Sequence, residues 1–166
     1  MLRQNLRGGD NLQCIIKALQ DRVELLHKAN KIEQLSKGYS NDKKYIIYGN
    51  NHKFLLRVAE KESYERKEAE FQLLKEMQRL NVQSPEPIAK GKFDELNSCY
   101  TLYSYIEGTD AKEALEILSD EEQYGIGYEA GKELSIMHLL KSPSTIKPWY
   151  ERVMEKHYRY LKAYKS

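Results

Sequence analysis

The chain has 166 residues, a formal net charge of +2 and 31% charged residues of both signs mixed along its length. That length allows one domain, or part of a larger one, with a real core. The balanced charge argues against a nucleic-acid binder, and no apolar run approaches the roughly 20 residues that a membrane-spanning helix needs.

The first ten residues, "MLRQNLRGGD", lack the apolar core of a secretory signal, and the two cysteines, Cys14 and Cys99, lie far apart without metal-site spacing. They read as reduced core thiols in a cytoplasmic protein. Leu12, Ile15, Ile16, Leu19, Val23 and Leu26 recur at helical spacing behind Asp10 or Asn11 as N-cap, which predicts an amphipathic first helix. Three strand-like runs follow. "KIEQLS" (31–36) passes through "SKGYSND" (36–42) into "KKYIIYG" (43–49), and "GNNH" turns the chain into "KFLLRVA". Gly and Asn tolerate positive φ at such tips, so the three strands are expected to run antiparallel in sequence.

"SYERKEAEFQLLKEMQRLN" predicts a helix with Ser63 as N-cap and Phe71, Leu74, Met77 and Leu80 as its apolar stripe. Pro85 and Pro87 force an extended exit. "IAKGKFD" and "SCYTLYSYI" then read as a hairpin turned by "ELNS". Past "EGTDA" the chain is helical. One helix opens on a Ser119–Glu122 capping box, with Ile126, Ala130, Leu134 and Met137 on one side and Gly125, Gly127 and Gly131 suiting close packing. A last helix has Pro148 near its first turn. The order predicts an α+β fold: a five-stranded antiparallel sheet with one inserted helix, then helices only.

One residue breaks the apolar pattern. Phe54, Leu56 and Val58 share one face of their strand, and Leu55, Arg57 and Ala59 share the other. A long cation inside a strand is costly unless an anion meets it. Glu65, Glu68, Glu70 and Glu76 on the following helix are possible partners. Taken singly, Arg57 could be an edge-strand cation, Glu70 an intrahelical partner of Arg66 or Lys67, and "SKGYSND" an ordinary polar turn. His157 falls on an exposed helix face with Glu151, Glu155 and Arg159, and His138 reads as a packed or capping residue near a helix end.

From about Lys31 to Leu140 the chain resembles the N-terminal part of the aminoglycoside phosphotransferase-like kinases, small-molecule kinases with a protein-kinase-like fold. The resemblance rests on "SKGYSND", "KFLLRV", "KEAEFQLLKEM", "VQSPEPI", "TLYSYIEG" and "GKELSIMH", in that order. It implies a protein-kinase-like N-lobe followed by the first helices of a helical C-lobe. Residues 1–30 would form an N-terminal helix, 31–107 the nucleotide-binding lobe and 108–166 an incomplete helical substrate lobe.

What the resemblance implies for the site is specific. Ser36, Gly38 and Ser40 would face the phosphates of ATP or GTP. Arg57 would stand in the place of a phosphate-gripping lysine and Glu70 would brace it. Tyr103 would be the gatekeeper, with the Ser104 carbonyl and the Ile106 N–H reading the adenine edge. Phosphoryl transfer also needs a catalytic Asp and Mg²⁺-holding Asn and Asp residues. None of the four histidines begins an H-x-D, and no D-F-G or D-x-D occurs. The chain therefore carries no catalytic residue and no Mg²⁺ ligand by this reading, and is expected to be inactive alone.

The implied function is that of the N-terminal portion of an ATP- or GTP-dependent phosphotransferase acting on a hydroxyl of a small molecule, an aminoglycoside or another alcohol. Two further readings stand beside it. One is a non-catalytic nucleotide-binding or protein-interaction module from a truncated kinase, with self-association through an exposed half-lobe. The other is a structural α+β protein in which Arg57 and Glu70 form only a buried ion pair.

Overall fold

A computed structural model describes residues 8–38, 40–49, 52–141 and 147–165. Its centre is one antiparallel sheet of β1 (Lys31–Leu35), β2 (Lys43–Tyr48), β3 (Lys53–Glu60), β4 (Pro87–Phe93) and β5 (Ser98–Ser104), in the order β1-β2-β3-β5-β4. The helix α1 (Gly8–Arg22) precedes the sheet, and α2 (Tyr64–Arg79) is inserted between β3 and β4. Three helices follow: α3 (Ala111–Leu115), α4 (Asp120–Met137) and α5 (Trp149–Lys165).

The period of two along β3 decides what each face of the sheet does. Phe54, Leu56 and Val58 turn to the back, in register with Ile47 and Tyr45 on β2 and with Leu102 and Tyr100 on β5. Ile15, Ile16 and Leu19 of α1 cover this face and close the core, joined by Leu26. Leu55 and Arg57 turn to the front, beside Ile46 and Lys44 on β2 and Tyr103 and Thr101 on β5. There α2 packs on β4 and β5, with Phe71 against Tyr103 at 6.1 Å between ring centroids. On the front of β2, Lys44, Ile46 and Tyr48 are half-buried.

Several boundaries differ from the sequence-based expectation. The first helix is already formed at Gly8, so neither Asp10 nor Asn11 is its N-cap. It stops at Arg22 because Val23 is extended, at φ −123° and ψ 102°, and Leu26 reaches the core from a 3₁₀ turn, Glu24–Leu26. Ser63 makes no capping hydrogen bond, because a 3₁₀ turn, Lys61–Ser63, feeds directly into α2. Cys14 is exposed on α1 rather than in the core; Cys99 is buried, and its Sγ donates to the Glu60 carbonyl at 3.3 Å. The turn between β2 and β3 is closed by the Gly49 N–H donating to the His52 carbonyl at 2.8 Å, while its Asn50 and Asn51 lie outside the described residues.

The Ser119–Glu122 capping box of α4 is formed as the sequence predicts. The three α4 glycines do not mark close packing: a Cβ added at Gly125, Gly127 or Gly131 would meet nothing within 4 Å. Ile126 and Leu134 of α4, and Trp149, Tyr150, Val153 and Leu161 of α5, are exposed. No described helix is long and apolar enough to cross a membrane.

Candidate nucleotide site

Arg57 meets an anion, and the first one is not the residue the sequence suggests. Its Nε donates to Asp42 Oδ2 at 2.9 Å and its Nη2 to the same oxygen at 2.5 Å. Glu70 stands further off, with Oε2 3.6 Å from Arg57 Nη1, an ion pair beyond hydrogen-bond length. Lys67 completes the group, donating to Asp42 Oδ2 at 2.6 Å and to Glu70 Oε2 at 3.3 Å. Two cations and two carboxylates therefore converge from the loop before β2, from β3 and from α2, and their formal charges cancel.

Burial grades the four. The side chains of Lys67 and Asp42 are only 3% and 5% exposed, whereas Arg57 keeps 23% and Glu70 39%. Burial pushes the Asp42 carboxyl up, but the hydrogen bonds and charges of Lys67 and Arg57 outweigh it, so the group sits below its ordinary value.

Asp42 and Lys67 were not legible as site residues. Asp42 is the last letter of a polar turn, and the sequence offers Lys67 only as an intrahelical partner of Glu70, a pairing the structure forms at 3.3 Å. A signal was present for Lys67. It lies four residues before Phe71 and seven before Leu74, so it extends the buried stripe of α2 by one turn. A lysine on a buried stripe requires an anion within reach.

The loop over this cluster is positively charged beneath. Gly38 has φ +107°, a conformation that L residues rarely adopt, and a Cβ there would lie 2.9 Å from Lys44 Nζ. That ammonium donates to the Lys37 carbonyl at 3.1 Å, and Lys37 is itself paired with Glu113 of α3 at 2.8 Å. Lys44 is directly opposite Arg57 in the β2–β3 register and, among the described residues, has no carboxylate partner. It is the charge in excess. A tight glycine turn over an uncompensated ammonium, beside a guanidinium, fits a phosphate group. Ser36 is exposed. Ser40 borders a separate polar cleft of about 370 Å³ with Asn41, Asp42, Ser63 and Arg66.

The residues expected at the hinge lie at the far end of β5, where Tyr103 turns to the front beside Leu55 and Ser104, opposite Phe54, turns to the back. Tyr103 is buried against Phe71, and burial raises its phenol against the opposing effect of the nearby Thr101 hydroxyl; among the described residues neither hydroxyl has a partner in hydrogen-bond geometry. Ser104 is tied to the segment before β4: its N–H donates to the Glu86 carbonyl at 2.9 Å and its Oγ accepts from the Glu86 N–H at 2.8 Å. Ile106 follows, exposed. A cleft of about 760 Å³ opens here, bordered by Tyr48, Lys53, Pro87, Ser104, Tyr105 and Glu107. Of the residues predicted from the sequence it takes in only Ser104.

The donor set does not extend to a metal. Among the described residues, no three His, Cys, Asp or Glu side chains are grouped so as to hold one.

A five-stranded antiparallel sheet, one inserted helix bridged by charge to the third strand, and helices after the fifth strand together define a kinase-like N-lobe with the start of a helical lobe. The model of the phosphotransferase enzyme family matches residues 31–166, and the chain belongs to that family, in agreement with the resemblance to aminoglycoside phosphotransferase-like kinases. No curated protein matches it.

Proposed function

We propose that this chain is the nucleotide-gripping part of a small-molecule kinase, in which the γ-phosphoryl of ATP or GTP passes to a hydroxyl of an aminoglycoside-like or other alcohol substrate. One observation carries the reading: Arg57 and Lys44 stand side by side on the front face, beneath a glycine turn, and Lys44 is unpaired by any described carboxylate. That excess charge suits the phosphates. Arg57 supplies planar donors, and Lys44 adds a point charge. Leu55 and Ile46, next along the same face with Tyr103 beside Leu55, offer an apolar surface to a base, and the backbone of Ser104 and Ile106 would read its edge.

The nucleotide, once bound, supplies the phosphoryl group. The residues of this chain hold and orient it. The sequence contains no H-x-D-x-x-x-x-N stretch, so the roles proposed for these residues are binding and orientation.

Calorimetric titration with ATP and with GTP tests the reading. Saturable binding is expected, with Arg57→Ala and Lys44→Ala each weakening it by about tenfold or more, the loss of a charged hydrogen bond. Thermal unfolding should show a nucleotide-dependent rise in Tm that Arg57→Ala abolishes. A wild-type chain whose Tm and heats ignore both nucleotides would sink the proposal.

A further inference from the structure

Asp42 grips only one edge of Arg57. A guanidinium offers two edges of paired donors: a side-on edge made by Nε and Nη2, and an end-on edge made by Nη1 and the second N–H of Nη2. Asp42 Oδ2 takes both donors of the side-on edge, at 2.9 and 2.5 Å. Among the described residues, the end-on edge has only the Glu70 carboxylate paired with it, at 3.6 Å. Asp42 is in turn fixed from behind by Lys67, which is buried and donates to the same oxygen. The carboxylate is thus held between two cations with almost no access to water, while part of Arg57 stays accessible.

We infer that Asp42, backed by Lys67, is a positioning residue for phosphate binding: it clamps the side-on edge of Arg57 and so presents the end-on edge to a nucleotide phosphate lying beside Lys44, at the Gly38 turn. The inference rests on the nucleotide reading and deepens it. Asp42 is also the last residue before β2, so the same clamp ties the loop to β3 and α2. An arginine is required at position 57 on this account. An ammonium there has one nitrogen only. Committed to Asp42, it lacks a second planar edge for phosphate.

The test is calorimetric titration of the whole chain with ATP and with adenosine, read as the ratio of the two affinities. Asp42→Asn is expected to lower that ratio about tenfold, the loss of one charge-assisted contact. Because this change leaves the buried Lys67 ammonium with only the longer contact to Glu70 among the described carboxylates, the neutral pair Asp42→Asn/Lys67→Met is titrated beside it, and the same fall is expected. Arg57→Lys should match it, with little further loss when combined with Asp42→Asn. An unchanged ratio in both Asp42 variants overturns the inference and leaves the nucleotide reading standing. A raised ratio does so too, since Asp42 would then compete with phosphate for the guanidinium. No ATP binding by the wild type overturns both.

A second readout needs no ligand. The Arg57 Nε–H should exchange slowly with solvent in ¹⁵N spectra of the wild type and fast in Asp42→Asn. Equally fast exchange in the two would also overturn the clamp.

Discussion

Lys67 Nζ lies 2.6 Å from Asp42 Oδ2, and both side chains are almost wholly excluded from water. A buried pair of this kind is dangerous to break on one side, because the remaining charge has lost its solvent and its partner together. Lys67→Met is therefore expected to destabilise the chain by about 3 kcal/mol, the lower end of the range because Asp42 keeps Arg57. Asp42→Asn/Lys67→Met should recover part of the loss, with a coupling of about 1–3 kcal/mol in a double-mutant cycle of urea unfolding. Additive effects of the two single changes would show that the pair is not a unit.

The same cluster sets an acid limb. The folded-state carboxyl of Asp42 lies below its ordinary value of 3.8, because Lys67 and Arg57 outweigh the cost of burial. A depressed carboxylate contributes stability above its unfolded value and loses it as the pH falls through its folded one. Stability of the wild type should thus drop steeply from about pH 4 downward, and that of Asp42→Asn less steeply. Glu33, Asp94 and Glu122 are also depressed, and they act equally in both proteins, so the difference in slope belongs to Asp42. Parallel acid limbs in unfolding measured between about pH 5 and pH 2 would contradict the assignment.

The sheet, its inserted helix and α4 were legible because their signals are local: alternation along β3, two prolines after α2, and a capping box on α4. The site was legible only where a single residue broke a pattern. Arg57 interrupts an apolar strand, and so it stood out. Lys67 interrupts an apolar helix stripe in the same way but sits among so many charges that it did not. Asp42 and Lys44 carry no local signal at all. Asp42 matters because the strand pairing carries the loop's end to Arg57, and Lys44 because the β2–β3 register sets it beside Arg57, both facts of tertiary structure. The unpacked glycines of α4 show the converse: small residues at helical spacing suit a close neighbour without requiring one.

Gly38 is the one described glycine at positive φ, and the space its missing side chain leaves is filled by an ammonium. Gly38→Ala should strain the backbone and push Lys44 Nζ from the Lys37 carbonyl, costing about 1 kcal/mol or somewhat more in stability. The effect on nucleotide affinity is expected to be larger than the effect on stability, since the loop conformation and the Lys44 charge are disturbed together. Titration and thermal unfolding of the same variant make the comparison. A variant that is destabilised but binds ATP normally would remove this loop from the phosphate site.

The family match begins at residue 31, yet α1, which lies before it, supplies Ile15, Ile16 and Leu19 to the back of the sheet. Leu19 is fully buried there. Leu19→Ala should cost about 2–5 kcal/mol, the loss of a core leucine plus the cavity left behind. A chain starting at Lys31 would expose Phe54, Leu56 and Leu102 and is expected to lose cooperative unfolding. If that shorter chain unfolds with the same midpoint as the full one, α1 contributes nothing to the core.

Tyr103 and Thr101 are two residues apart on β5; their hydroxyls approach each other, but among the described residues neither has a partner in hydrogen-bond geometry. Desolvating a hydroxyl without a compensating bond costs about 1–3 kcal/mol, and deleting the group returns that cost while keeping the ring in place. Tyr103→Phe is therefore expected to raise stability by about 1 kcal/mol, keeping the contact with Phe71. Thr101→Val should act in the same direction, less strongly, since threonine and valine are close in shape. Binding of ATP should survive Tyr103→Phe, because the gatekeeper role proposed for this residue uses the ring and not the hydroxyl. A loss of stability in Tyr103→Phe would mean that the hydroxyl is hydrogen-bonded in solution, and denaturant unfolding of the two single variants decides it.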